Sequence, residues 1–345
     1  MSPLKFMSFP SLVQENVLKH MEFAEVFMMS LCSKRTKNCA VRARIEIPQV
    51  YFTVKETEQK IGIRREEGKE KTKTIIRVLE YPEERIKSAD KFLRFFSFFS
   101  VCAAIKPYKG ACVIKIKQTE ETFMAGLYHY FKALFRLTEP SYLVMNVNRL
   151  SERMLFVEDV NKAHITGQTL EVKDLDLFLT KNPNLEILKI ESSINGELDN
   201  ISRILSVENV HLSNAGHFGM RLLSKFTGRN ISLFEPVLVE TELNAIIKKW
   251  MNGEEFQNLE TVFAQIKTSL VRGMNLDQIF DGFAVERFNP ANRPQDFQFD
   301  KKLFGHSSQP YSFCGLGCYD VIRKNDGKRA SVLAVHTHFM FVVWN

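Results

Sequence analysis

The N-terminal segment carries the most informative pattern of the chain: residues 9–37 read FPSLVQENVLKHMEFAEVFMMSLCSKRTK. Phe9-Pro10 opens a first helix, Glu22 marks a break, and the apolar stretch 26–29 runs into a polar and basic string. The apolar residues of the first helix recur with a helical period at Leu12, Val13, Val17, Leu18 and Met21. Helices this short hold too few residues to close a core on every side, because small units bury a low fraction of their surface. We therefore expect apolar side chains to remain on an outer face and to bind a partner.

The same stretch resembles the F-box, the helical motif that binds the Skp adaptor of cullin-based ubiquitin ligases. The resemblance covers residues 5–45, includes the opening Phe9-Pro10 pair and the acidic break at Glu22, and is strongest to the large nematode group of F-box proteins through the string SLCSKRTK at 30–37. The chain departs from the pattern at Arg35-Thr36, where many F-boxes have a tryptophan. On periodicity alone an alternative stays open, an ordinary amphipathic hairpin that serves the core of its own domain.

The F-box resemblance implies a set of adaptor contacts and a function. The contact is an apolar helix-in-groove interface made by Phe9, Pro10, Val17, Leu18, Met21, Val26 and Leu31. The basic side chains Lys34, Arg35 and Lys37 lie at its rim, where charge sets encounter rate more than affinity. The implied function is that of a non-catalytic substrate-recognition subunit of a Skp–cullin–F-box ubiquitin ligase, which holds an unidentified target protein for ubiquitination. The alternative is a scaffold that binds the adaptor without a cullin, or that acts independently of ubiquitination.

Composition and charge restrict the other partners. The chain has 345 residues, of which 45% are hydrophobic, so it can bury a sizeable core. Its formal net charge of +7 is scattered, and its densest charged run, residues 64–73, is of mixed sign and indicates a solvated turn. Nucleic-acid binding favours a concentrated basic stripe with stacking aromatic residues. We therefore expect no nucleic acid among the partners.

Membrane and export signals also bear on localisation. The longest apolar run, Phe95 to Ile105, falls short of the ~20 residues that span a bilayer. Residues 1–9 lack the apolar region of a secretory signal. The cysteines are far apart, so we expect reduced thiols in a cytoplasmic or nuclear protein without a membrane partner.

The body of the chain changes from a strand pattern to a strand–helix alternation. Residues 43–79 alternate in the manner of half-buried antiparallel strands, and 119–137 carries apolar residues at helical spacing before a strand at 142–147. From about residue 160, weak echoes recur at 184–190, 207–212, 230–233, 258–263 and 284–288. Their spacing is in the range of leucine-rich repeats, with helices predicted between them at 174–180, 219–226, 240–251 and 275–282. No regular asparagine ladder is visible, so an ordinary α/β domain stays open as the alternative.

The C-terminal residues predict a hairpin and show a second resemblance. Two β runs flank Asp326-Gly327, a strong hairpin signal because glycine supplies a positive φ. The string DVIRKNDGKRASV at 320–332, followed by VVW at 342–344, looks like the end of the type 2 F-box-associated domain. The fold expected is α/β (α+β), with a three-helix F-box at 1–44, a β-rich linking region at 45–160 and the associated, repeat-like domain at 161–345.

Catalytic and metal-binding patterns are weak throughout the sequence. Cys314 and Cys318 with His336 and His338 are a poor match to structural zinc spacing, because the two histidines are separated by a single residue. No nucleophile elbow and no complete phosphate loop occurs. Cys32 is expected to pack among the F-box helices. We therefore expect no catalytic residue, no metal and no cofactor.

Overall fold

The structure is a computed structural model, and it describes residues 5–64, 73–80, 92–96, 99–102, 104–116, 121–146, 150, 160–266, 273–300 and 310–344. The chain divides into two compact units, one of Met1–Val147 and Glu152–Lys162 and the other of Asn148–Ser151 and Ala163–Asn345. The predicted α/β class is confirmed, with N-terminal helices followed by a strand-rich body and C-terminal strands. Most of the predicted charged turn at 64–73 lies outside the described residues.

The first unit combines four helices with ten strands among its described residues. The helices are α1 (Ser11–His20), α2 (Phe23–Ser30), α3 (Lys34–Arg42) and α4 (Glu121–Leu134), and a 3-10 turn at Phe6–Ser8 precedes α1. The strands are β1 (Glu46–Ile47), β2 (Gln49–Lys55), β3 (Glu58–Arg64), β4 (Lys73–Glu80), β5 (Phe92–Phe96), β6 (Phe99–Cys102), β7 (Ala104–Tyr108), β8 (Ala111–Ile116), β9 (Arg136–Leu137) and β10 (Ser141–Asn146). Six of them form a mixed sheet in the order β10-β2-β3-β4-β8-β7.

The pairing within this sheet confirms the predicted strand pattern of residues 43–79. Strands β2, β3 and β4 are antiparallel neighbours, whereas β10 pairs with β2 and β8 pairs with β4 in parallel. Helix α4 confirms the predicted helix, since its four spaced apolar residues are all buried: Phe123, Leu127, Phe131 and Leu134. The helix therefore packs one apolar face into the core of the first unit.

The second unit has a parallel sheet that ends in antiparallel strands. Its helices are α5 (Val172–Lys181), α6 (Gly216–Leu223), α7 (Glu240–Asn252) and α8 (Leu276–Ile279), with a 3-10 turn at Arg203–Ser206. Its strands are the larger part of β11 (Val160–Thr166), then β12 (Thr169–Glu171), β13 (Ile187–Ile190), β14 (Ser193–Asn195), β15 (Asn209–Leu212), β16 (Asn230–Phe234), β17 (Thr261–Gln265), β18 (Asp296–Phe297), β19 (Tyr311–Ser312), β20 (Cys318–Ile322), β21 (Arg329–Ala334) and β22 (His338–Val343). The main sheet has the order β11-β13-β15-β16-β17-β22-β21-β20.

Four of the five predicted echoes are neighbouring parallel strands. They are β13, β15, β16 and β17, and helices α5, α6, α7 and α8 overlap the four predicted helices. The fifth echo, 284–288, is wrong as a repeat strand, because Glu286 makes only an isolated antiparallel bridge to Asp320. The sheet position beside β17 is taken by the antiparallel strand β22. The assignment of these strand–helix units to leucine-rich repeats stays a prediction.

A polar side-chain ladder that the sequence pattern did not reveal runs across the starts of the parallel strands. The Asn209 side-chain amide donates to the Glu186 carbonyl at 3.0 Å, and the Asn230 amide donates to Asn209 Oδ1 at 2.8 Å. The Thr261 hydroxyl donates to Asn230 Oδ1 at 2.6 Å. The rungs are separated by 21 and 31 residues along the chain, so the unequal loops hide the ladder in the sequence.

The C-terminal hairpin is confirmed and is anchored by a buried ion pair. Strands β20 and β21 pair antiparallel around Gly327, whose φ is +70°. Arg293 donates from Nε to Asp320 Oδ2 at 2.8 Å with both side chains buried, and from Nη2 to the Phe313 carbonyl at 2.7 Å. Ser331 Oγ donates to Asp320 Oδ1 at 2.6 Å and accepts from the Trp344 indole at 2.8 Å. The buried charge is therefore both paired and hydrogen-bonded, as burial of an ion requires.

Candidate functional site

The starts of the three N-terminal helices are fixed by local capping. Pro10, at φ −55°, precedes the first residue of α1, and its ring holds the chain in the conformation that a helix entry needs. Glu22 and Glu25 form a capping box at α2, with the Glu22 backbone amide donating to Glu25 Oε2 at 3.0 Å. Ser33 and Thr36 form a second capping box at α3. The break predicted at Glu22 is therefore a helix cap, and each box satisfies backbone donors that the helix cannot.

A buried glutamine joins α1 to α3. Gln14 is buried, and its side-chain amide donates to the Phe9 carbonyl at 2.8 Å. Its oxygen accepts from the Cys39 thiol at 3.0 Å and from Arg42 Nη2 at 3.4 Å. The expectation for Cys32 is wrong: its side chain is exposed, and Cys39 is the thiol that packs among these helices. Cys32 comes after the last residue of α2, where its thiol donates back to the carbonyl of Met28 at 3.5 Å.

Helix α2 is packed into the body of the first unit. The rings of Phe27 and Tyr130 are 5.9 Å apart in an edge contact, and those of Phe23 and Phe135 are also 5.9 Å apart. The Tyr130 hydroxyl donates to the Ser30 carbonyl at 3.1 Å, and burial raises the pKa of this phenol. These contacts use one face of α2 for the stability of the chain itself.

The seven residues expected to contact an adaptor differ in exposure. Leu18 and Val26 are fully buried within the first unit, so their side chains are not accessible to a partner in this structure. Both face inward because α1 and α2 each need an apolar side to pack on their own unit. The other five reach the surface. Pro10 and Val17 are exposed, and Phe9, Met21 and Leu31 are half-buried.

A more exposed apolar surface lies on the outer side of α1. Leu12 is 73% exposed, Val13 42% and Val17 37%. At 100° per residue these three lie on one side of the helix, away from buried Gln14 and Leu18. We call Leu12, Val13 and Val17 the α1 apolar surface. Sequence reasoning placed Leu12 and Val13 in the helical pattern but omitted them from the contact set, since periodicity does not tell which apolar side the body covers.

The basic residues around α3 divide by position. Lys34 and Arg35 are exposed in the first turn of the helix. Lys37 is half-buried, and its Nζ lies 4.4 Å from the ring centroid of Tyr130. Lys34 and Arg35 are therefore open to solvent, whereas Lys37 has a cation–π contact within its own unit.

Metal and thiol chemistry has little support in the described part of the chain. No group of three or more His, Cys, Asp or Glu side chains there is arranged to hold a metal ion. The Cys318 thiol is buried and donates to the Phe313 carbonyl at 3.0 Å, and burial raises its pKa to about 12. Burial raises the pKa of Cys112 to about 12 as well. A protonated, buried thiol is neither a nucleophile nor a metal ligand.

Among the described residues, no helix has the length and hydropathy needed to cross a bilayer.

Comparison with known proteins identifies the N-terminal helices. Residues 6–47 match the family model of the F-box domain, a span that includes α1, α2, α3 and β1. An uncharacterized protein of Caenorhabditis elegans is 18% identical over 310 residues, which cover 86% of this chain and 83% of the relative. No solved structure matches the chain. F-box domains bind Skp1-type adaptors within cullin complexes, so the match supports an adaptor-binding role for residues 6–47. The type 2 F-box-associated domain stays a prediction.

Proposed function

We propose that this chain is the substrate-recognition subunit of a Skp–cullin–F-box ubiquitin ligase. The observation that carries the proposal is the α1 apolar surface, which lies within the segment that matches the F-box domain. Soluble chains seldom leave three branched aliphatic side chains exposed on one side of a helix without a partner for them. Docking of this surface into an apolar groove of a Skp1-type adaptor removes it from water.

The proposed contact set follows from exposure. It keeps the five accessible residues of the F-box resemblance and adds two from the α1 apolar surface, giving Phe9, Pro10, Leu12, Val13, Val17, Met21 and Leu31. Full burial of an aliphatic side chain of this size contributes about 1.5–3 kcal/mol, so Leu12 is the strongest candidate for an anchor. Leu18 and Val26 support this surface from behind by holding α1 and α2 in place.

The proposed mechanism is positioning without bond-making by this chain. The F-box helices would attach the chain to the adaptor, and the adaptor to a cullin that carries the ubiquitin-charged enzyme. The second unit would hold the target, so that its lysines meet the charged enzyme at high effective concentration. No side chain of this protein takes part in the transfer itself in this mechanism.

The alternative is a scaffold that binds the adaptor without a cullin. The two functions share the α1 contact and differ only in the next partner. Size-exclusion chromatography of the purified full-length chain with a Skp1-type adaptor and a cullin separates them. A single peak with all three proteins is expected for a ligase subunit. A complex of chain and adaptor that excludes the cullin contradicts the proposal and leaves the scaffold.

A further inference from the structure

Two adjoining cavities open at the edge of the second unit where the parallel strands begin. Their volumes are about 370 and about 750 Å³, and both are lined by Ser206 and Thr227. They lie along the loops that lead into β15, β16 and β17. We call the two together the strand-start groove.

A glycine, Gly228, shapes the wall of the smaller cavity. A Cβ at Gly228 would lie 2.2 Å from the Val207 carbonyl oxygen and 2.5 Å from a ring carbon of Phe226. Only glycine therefore allows the loop before β16 to approach the loop before β15 this closely. The close approach fixes Thr227, which lines both cavities, next to Arg229, which lines the smaller one.

The larger cavity has an excess of positive charge. Its described lining includes the cations Arg203, Lys225 and Lys249 and one carboxylate, Glu255. Lys249 is paired with Glu255 at 2.9 Å. Lys225 is exposed and donates to the Leu198 carbonyl at 3.1 Å, which leaves its charge without a carboxylate partner among the described residues.

Arg203 presents the second uncompensated charge. Its side chain is exposed and has no ion pair within the described part of the chain. Its backbone amide donates to Asp176 Oδ1 at 2.9 Å, and Ser202 Oγ donates to the same oxygen at 2.6 Å. Asp176 therefore fixes the loop that carries Arg203 through two hydrogen bonds to one carboxylate oxygen.

The smaller cavity is electrically balanced. Arg229 bridges Glu208 at 2.8 Å and Glu260 at 2.6 Å, and Arg323 pairs with Asp326 at 2.6 Å. Lys328 supplies the third cation of the lining, so that three cations face three carboxylates. The electrostatic attraction of an anionic ligand therefore comes mainly from Arg203 and Lys225, in the larger cavity.

An apolar spot adjoins these two cations. Ile201 lines the larger cavity and is 91% exposed. Leu177 on α5 is 47% exposed and follows Asp176, which is hydrogen-bonded to Ser202. An exposed isoleucine beside two unpaired cations offers one apolar and one ionic contact to the same ligand.

We infer that the strand-start groove binds an extended acidic peptide segment with an apolar residue among its carboxylates. The inference rests on the proposed function in one respect only: the peptide segment belongs to the target protein. Single-stranded nucleic acid fits less well, because its tight binding relies on exposed aromatic side chains on which the bases stack. The aromatic residues of the lining, Phe226 and Phe256, are buried and offer no face for base stacking.

Fluorescence anisotropy with labelled nonapeptides tests the groove. The probes are a peptide with four glutamates around a central leucine, the same peptide with glutamines, and the same peptide with lysines. The full-length chain is expected to bind the glutamate probe, to bind it less at high salt, and to leave the other two free. Equal binding of the glutamine probe overturns the inference, as does the absence of binding of the glutamate probe at the highest soluble concentration of the chain. Tighter binding of a single-stranded RNA that competes with the glutamate probe also overturns it.

Matched variants locate the site. Arg203→Glu is expected to weaken the glutamate probe about tenfold or more, and Ile201→Ser to weaken it severalfold. Lys173→Glu makes the same charge change at an exposed lysine outside the groove lining and is expected to leave affinity at the wild-type value. Wild-type affinity in Arg203→Glu contradicts the assignment.

Adaptor binding of the same preparations separates the two proposals. Groove variants that lose the peptide but keep the adaptor support the inference. If the wild-type chain does not bind the adaptor, the proposed function is contradicted, whereas the peptide result remains valid.

Discussion

Leu12 and Leu18 lie six positions apart on the same helix, yet Leu12 is 73% exposed and Leu18 is fully buried. At about 100° per residue their side chains project about 120° apart, so the helix presents one leucine to its own unit and the other to solvent. This division gives Leu18 a role in folding, and under the proposed function it leaves Leu12 for partner binding.

The first prediction compares how much Leu18 and Leu12 each contribute to the free energy of unfolding. Leu18→Ala removes a buried side chain and leaves a cavity, so we expect the free energy of unfolding to fall by about 2–5 kcal/mol. Leu12→Ala changes an exposed side chain, and we expect a change within about 0.5 kcal/mol. Urea unfolding followed by circular dichroism measures both. Equal losses in the two variants would show that the burial pattern of α1 is incorrect.

The second prediction concerns the buried pair Arg293 and Asp320. Arg293→Met leaves the Asp320 carboxylate buried without its main partner, and we expect a loss of about 3–5 kcal/mol. Arg136→Met breaks the exposed pair with Glu46 and serves as the control, with an expected loss of at most about 1 kcal/mol. Adding Asp320→Leu to Arg293→Met is expected to recover part of the stability. A double variant as unstable as the sum of the two single variants would contradict the pairing.

The third prediction concerns pH. The pKa of His164 lies below its ordinary value of 6.5, mainly because burial disfavours the charged ring and also because Lys189 repels it, while Glu191 opposes the shift. Below pH 6.5 the unfolded chain therefore binds a proton more readily than the folded chain, and stability falls as the pH is lowered. As the pH is lowered from 7 to below 6.5, we expect the free energy of unfolding to fall less in His164→Gln than in the wild type. Identical pH slopes for the two proteins would rule this out.

The fourth prediction concerns the thiols. Cys32 and Cys314 are exposed, whereas Cys39, Cys112 and Cys318 are buried. Because alkylation requires an accessible thiolate, iodoacetamide is expected to label only the exposed pair among these five in the native chain. Mass spectrometry of tryptic peptides before and after unfolding provides the comparison. Native labelling of Cys112, whose pKa is raised to about 12, would contradict its burial.

Local patterns in the sequence predicted most of the secondary structure, but they did not predict how all of its elements pair. The parallel strands β13, β15, β16 and β17 follow from short apolar runs, and the hairpin around Gly327 follows from its turn residues. The echo at 284–288 fails because a strand also needs a free neighbour, and β22 occupies that place. Strand order beyond adjacent elements depends on tertiary pairing that a local pattern does not contain.

Long-range polar contacts were beyond the reach of the sequence. Arg293 and Asp320 are 27 positions apart, and no spacing rule connects them. The rungs of the ladder, Asn209, Asn230 and Thr261, are unequally spaced because the intervening loops differ in length. The strand-start groove was missed for the same reason, since its lining comes from several separate loops.

The sequence predicted the F-box domain, whereas the contact residues stay a prediction. The F-box pattern placed the expected contacts on helices within residues 6–47, which match that domain. It included Leu18 and Val26, which are buried, and left out Leu12 and Val13, which are exposed. An amphipathic pattern with apolar residues on two sides of one helix does not reveal which side the rest of the chain covers.

Calorimetric titration of a Skp1-type adaptor into the full-length chain tests the role of α1 most directly. Leu12→Asp places a charge on the α1 apolar surface, and Leu316→Asp makes the same change at a leucine of the second unit that is 89% exposed. We expect Leu12→Asp to weaken adaptor binding at least about 100-fold, since a carboxylate buried in an apolar groove without a partner is costly, and Leu316→Asp to bind like the wild type. Equal adaptor affinity for the two variants, both folded by circular dichroism, would contradict the account.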